Sequence, residues 1–413
     1  MAQDLQENRR SKRRGYWCLQ DGGRIGWSAV LTLWVTWFTW DTLIKCLAIM
    51  LPTLTVQLQT RTWVLGWIVT MVDSCAEGMG TLAYPLSRCF SSGCILLVCG
   101  LMVGGGIIAS SFVTSPIQLG IILLITASLG ISVASNLTRK MIGANFSKQY
   151  VMANGWAQTG DSFALICIPP FTQLCLTTFG WRGNLQIIGA ICLHLAACGV
   201  LLKRYEEPVD EGEPESLPLL PFARNPPDRT ESKPLDELKS SNMKLLKNHL
   251  YWVTTLIAGG THIAMCLWRI YFVPHAIVKG VAEQDAALVV TLVGTATLVL
   301  KILHGPIVDR DIMSSRTLLS ITSLIATTGL IIDPWMNSYW QIVFCGIMVL
   351  PFQGISCNLS DVITKELLGA NQLVNAFGCV GLKTAALRVA IGFAPECIDS
   401  IGRSGFTCAG YKD

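Results

Sequence analysis

The chain has 413 residues, 51% of them hydrophobic and only 14% charged, with a mean hydropathy of +0.49. Soluble domains carry about 25% charged residues, so this composition excludes a soluble globular protein and points to an integral membrane protein. The net charge of +4 is small and the basic residues form no long faces, which sets nucleic acid aside.

Residues 1–26 are polar and basic ahead of the first apolar run and have no signal-peptide pattern. At about 20 apolar residues per crossing, spans are predicted near 27–51, 62–84, 93–112, 116–138, 150–177 and 181–202. Residues 203–247 are rich in Pro, Glu and Lys, cannot bury an apolar face and read as a flexible linker. Further spans follow near 248–276, 285–308, 317–334, 338–360 and 372–394, and 395–413 reads as an atypical tail. The expectation is an all-α polytopic membrane protein of six helices (27–202) plus about five (248–394). Lipid leaves no water to satisfy an open sheet edge.

Basic residues in short loops set the orientation. Arg9, Arg10, Lys12, Arg13 and Arg14 precede the first span, Arg139, Lys140 and Lys148 follow the fourth, and Arg310 and Arg316 follow the eighth. The opposite loops hold only Arg61, Arg182 and Lys279. The N-terminus and linker are therefore expected in the cytoplasm. GPIVDRDIMSSR, after the eighth span, and AYPLSRCFSSG, after the second, share a spacing that sets Asp309 and Arg310 against Ser87 and Arg88. Such an internal repeat, with a site between two bundles, describes an alternating-access carrier.

Several charges fall inside the apolar runs, where each costs roughly 2.5–3.5 kcal/mol unless it meets a partner, a cavity or a substrate. Asp41 and Lys45 are four apart on the first helix and share a face, as do Asp73 and Glu77 on the second. Asp41 and Lys45 read either as a structural pair or as functional groups. Asp73 and Glu77 are expected to meet Lys45, a cationic group on a substrate, or another helix. Lys301 reads as an anion site or as a side chain snorkelling toward Asp309. His262 and Arg269 share a face of the seventh helix, with Arg269 either clamping a carboxylate or anchoring at the outer interface. Asp161 is a further titratable candidate, and Phe352 a candidate cavity wall. The 16 cysteines show no metal-like or disulfide spacing and read as apolar filler. Asn136, Asn145 and Asn358 form N-x-[ST] triplets that this topology places out of reach of glycosylation.

Several stretches resemble the monocarboxylate transporter family of the major facilitator superfamily. DGGRIGW (Asp21 to Trp27) resembles its first-helix signature, with one extra residue and Arg24 in place of a Trp. NFSKQYVMANGWAQTG (Asn145 to Gly160) is similar to its fifth-helix signature through Phe146, Lys148, Ala153, Gly155, Ala157 and Gly160. FGWRGNLQIIGAI resembles its entry to the sixth helix, and YFVPHAIVKGV, GPIVDR and ELLGANQLVNAFG resemble second-half landmarks. The resemblance implies a major facilitator-type two-bundle fold at the plasma membrane. It implies a small carboxylate substrate, possible proton symport and a single-span accessory glycoprotein as partner. It also assigns Lys45 to substrate and proton, and sets Thr297 and Lys301 where the family has an Asp and an Arg. Thr297 cannot hold a proton, so either Asp41, Asp73 or Asp161 does so or the carrier is uncoupled. After Gly378 the pattern degrades and the family's twelfth helix is missing, as in a truncated form.

The reading is a solute carrier for lactate- or pyruvate-like monocarboxylates, with Lys45, Lys301 and Arg269 neutralising the carboxylate. The alternatives are a carrier of zwitterions such as amino acids or creatine, and a non-transporting membrane protein acting as sensor or partner. No nucleophile elbow, metal spacing or phosphate loop supports an enzyme, a metal or a cofactor.

Overall fold

The computed structural model describes residues 21–206, 249–368 and 373–392. The basic residues ahead of Asp21, most of the linker, and the tail with Asp399 and Gly402 lie outside the described residues. Among the described residues the secondary structure is helix without strand.

The first half opens with α1 (Gly23–Gln57). Next comes α2 (Thr62–Gly78), which passes through a 3-10 turn, Met79–Leu82, into α3 (Ala83–Cys89). The rod α4 (Ser92–Ser110) is capped by the Ser91 hydroxyl, which accepts from the Cys94 amide. α5 (Pro116–Ile122) runs through a π turn, Leu123–Ser128, into α6 (Leu129–Asn145). α7 (Tyr150–Cys192) holds the fifth predicted span and the first part of the sixth, which part at Gly180, whose φ of 69° only glycine adopts at little cost. α8 (His194–Glu206) ends this half, with Lys203 and Arg204 in its last turn.

The second half comprises α9 (His249–Val278), α10 (Glu283–Asp309), α11 (Ser315–Ile332), α12 (Tyr339–Leu368) and α13 (Leu373–Gly392). Among the described residues, seven helical stretches are long and apolar enough to cross a membrane, one of them the 55-residue pair Tyr150–Arg204. Large apolar side chains such as Leu256, Leu324 and Ile331 point outward, as lipid contact requires.

The main apolar core fills the first half and runs on to Leu318, Ile355, Leu359 and Val362 of the second, where a smaller cluster around Val293 and Leu350 takes in Leu165 of the first. In the first, α1 packs along α7, and α4 lies against α8, where Gly100 meets the Ala196 backbone. In the second, α12 is central and packs on α9, α10 and α11. The halves meet along two seams, α7 with α10 and α2 with α13. A Cβ on Gly305 would lie 2.5 Å from the Met152 Cα, and one on Gly381 would lie 2.3 Å from the Glu77 carbonyl oxygen. Glycine is what lets the two seams close.

Candidate functional site

The α7–α10 seam ends at the N-terminus of α7, at the end of the molecule where the linker attaches. The free amides in and just ahead of its first turn need acceptors. Asp21 takes those of Ser147, Lys148 and Gln149, at 3.2, 2.8 and 2.7 Å. Asp309, arriving from the other half, takes those of Val151 and Met152 at 3.2 and 2.7 Å. Two carboxylates thus sit where the helix dipole favours negative charge. Desolvation raises the Asp21 carboxyl, but the amides of Gln149, Ser147 and Lys148 outweigh it and hold it below the usual carboxylate range. Lys365 crosses the same boundary, donating to the Phe146 carbonyl at 2.7 Å with its ammonium over the Tyr150 ring. The first-helix signature explains itself here. Gly22 has a φ of 93° and any Cβ on it would strike the Phe146 ring, while Trp27 meets that ring edge-on.

One layer deeper the halves are stitched by buried polar side chains. Asn154 donates to the Asn358 side-chain oxygen, and Asn358 Nδ2 lies 2.6 Å from His304 Nε2. Gln158 donates to Asp361 at 3.2 Å. Lys301, 1% exposed, donates to both oxygens of Asp161 at 2.7 Å and to the Gln158 carbonyl at 3.3 Å. A Cβ on Gly354 would touch the lysine stem at 2.9 Å. This is an ion pair sealed from water between α7 and α10.

Beside this layer lies a polar cavity between the halves, lined by Trp40, Glu77, Asn136, Arg139, His262, Asp361 and Phe377 among others. Arg139 rests between the rings of Trp37 and Phe377, at 5.1 and 5.2 Å, and faces Asp361 at 3.8 Å. Arg388 on α13 closes the α2 side, 3.1 Å from Asp73 and 2.8 Å from Glu77. Trp40 donates to Asp73 at 2.8 Å.

These placements sort the expected residues. Lys301 does not snorkel, because Asp161 neutralises it where it stands and no water reaches it. Asp73 and Glu77 pair with Arg388, a residue absent from the expectation. Asp309 bonds to the amides of the facing helix, and Arg310 beside it is exposed. Arg139, expected in a cytoplasmic loop, is part of α6 and faces the cavity. Asp41 is buried and Lys45 half-buried on α1, which contributes Trp40 to the cavity wall, while neither of those two is among its lining residues. Phe352 is half-buried on α12, next to Gln353, which donates to the Thr261 carbonyl. Gly155 lies against His304 and Asn358, and Gly160 against the Trp34 carbonyl. Asn136 and Asn358 are buried. The side chains of Arg88 and Arg269 lie outside the described set.

Comparison with known proteins agrees with this architecture. The family model of the Major Facilitator Superfamily matches residues 27–383. Monocarboxylate transporter 12 of Rattus norvegicus is 25% identical over 328 residues, 76% of this chain and 67% of the relative. Monocarboxylate transporter 12-B of Danio rerio is 24% identical over 385 residues, 89% and 80% of the two chains. Monocarboxylate transporter 11 of Homo sapiens is 25% identical, covering 70% of this chain and 57% of its own length. The solved structure of the proton:xylose symporter XylE bound to 6-bromo-6-deoxy-D-glucose aligns with a TM-score of 0.63 at 14% identity, over 91% of this chain and 89% of that one. At that identity the likeness speaks for the fold alone. The chain belongs to the Major Facilitator Superfamily, as a multi-pass membrane transporter of small molecules whose curated relatives are the monocarboxylate transporters.

Proposed function

We propose that the protein carries small carboxylate-bearing solutes across the plasma membrane by alternating access. One observation carries this reading: two helical halves meet through a layer of buried polar side chains alongside a polar cavity, so parting them exposes that cavity to the linker side. The basic residues near the N-terminus and the last turn of α8 support a cytoplasmic linker end. The described state is then closed to the cytoplasm and awaits cargo from outside. Arg139 and Lys301 are cations for a carboxylate at this level, and Lys45 and Arg269 complete the set on α1 and α9. Asp161 and Asp73, each within reach of a cation, and Asp41 on α1 are the groups that would carry a proton if transport is coupled to one. Full-length protein in proteoliposomes tests the reading, with labelled lactate, pyruvate and creatine offered with and without a proton gradient. Saturable uptake of at least one supports it. No uptake of any by folded, inserted protein overturns it.

A further inference from the structure

His304, on α10, is the last link of the buried chain that joins the halves, and it is 2% exposed. That chain has a direction. Asn154 donates to Asn358 Oδ1, which turns Asn358 Nδ2 toward His304 Nε2, 2.6 Å away. An amide NH2 only donates, so Nε2 is the acceptor and the imidazole is neutral, with its proton on Nδ1. Nδ1 has no aligned partner of its own. A second proton, on Nε2, would set N–H against N–H in a site closed to water, where an unmet donor and a charge are both costly. The charged groups around the ring already have partners. On its own helix, the Lys301 ammonium is held by Asp161, and the Asp309 carboxylate by the α7 amides. From α7 the ring meets Gly155, where a Cβ would lie 2.8 Å from His304 Cε1. On α12, Asp361 receives Gln158 and faces Arg139, Lys365 donates to the Phe146 carbonyl, and Glu366 receives Ser315.

We infer that a doubly protonated His304 and a closed linker end exclude each other. Parting Asn358 from His304 frees the Nε2 lone pair, which then takes a proton from the cytoplasm. Histidine ordinarily titrates between pH 5 and 8, so cytoplasmic acid favours the state open at the linker end, and the closed state returns as pH rises. The cytoplasmic side of this switch rests on the carrier reading; the exclusion itself rests on the hydrogen-bond geometry.

The test is the reaction of Met152→Cys, on α7 where Gly305 closes the seam, with a polar maleimide. The purified full chain is labelled between pH 5.5 and 7.5, and each rate is divided by that of the exposed native Cys89 in the same sample. That ratio removes the reagent's own pH dependence. It should rise at least fivefold toward pH 5.5. His304→Gln, which stays neutral, should give one low ratio at every pH. Asn358→Asp puts an acceptor opposite Nε2, so acid should now lower the ratio, and this reversed sign carries the test should His304→Gln fail to fold. The inference is overturned if the parent's ratio does not change with pH, or if Asn358→Asp keeps the parent's sign. It is overturned equally if the rise survives His304→Gln, as it would were Asp21 or Asp309 responsible. Uptake plays no part in this readout, so a failure here and a failure of the carrier reading are seen separately.

Discussion

Lys301 and Asp161 can stay ionised in the interior only because each neutralises the other. Asp161→Asn or Lys301→Gln leaves one buried charge uncompensated, an expected loss of about 3–5 kcal/mol to the closed state. Asp161→Leu with Lys301→Met should recover most of it, since an apolar pair of similar volume is often as stable. Thermal unfolding of the four proteins decides this, and single variants as stable as the parent would refute the pairing. Asp21 makes a different prediction. Its folded carboxyl is held low, so its cap is intact above the ordinary carboxylate range, near pH 4, and is lost only as pH falls through the lowered value. Asp21→Ala should therefore cost about 0.5–2 kcal/mol at neutral pH, and the difference from the parent should shrink in acid. A difference that grows in acid would be the wrong sign. Lys45 was singled out from the sequence because a lysine in an apolar run demands a reason. Its neutralisation is expected to lower uptake at least tenfold, and uptake at the parent's level would remove it from the mechanism.

At the scale of elements, the helices were legible and their functional ends were not. The predicted fourth span stops at 138 and the tenth at 360, each one residue short of a charge, Arg139 and Asp361. Those two face each other across the cavity. A hydropathy reading trims a span at a charge near its end, so it left these two outside. The helices themselves run on, to Asn145 and Leu368. The repeat between GPIVDR and AYPLSR was also legible, but not its asymmetry. Asp309 caps the facing helix, while Ser87 at the matching position donates to the Tyr84 carbonyl in its own helix. The α7–α10 seam depends on glycine, and Gly305→Val would drive a side chain into the Met152 backbone. That variant should hold the linker end open. The expected readout is a rise of at least tenfold in the reaction of Asn154→Cys with a polar maleimide applied from the linker side. Labelling unchanged from the parent background would show that the seam tolerates the bulk.

For the whole molecule, composition and run length led directly to two helical bundles in a membrane, because about 20 apolar residues in a row have few other uses. Which charge meets which depended on packing between distant segments, such as Asp73 with Arg388, 315 residues apart. No local spacing encodes that. The central claim is that the halves must part at the linker end in every transport cycle. It is tested most directly by bridging Asn154→Cys to Asn358→Cys, whose native side chains touch across the boundary, with a short reducible thiol reagent. Each single-cysteine variant serves as control. Uptake of labelled lactate or creatine, whichever the unbridged protein carries, should fall below a tenth when bridged and return on reduction. A bridged protein that transports at the unbridged rate would contradict the account.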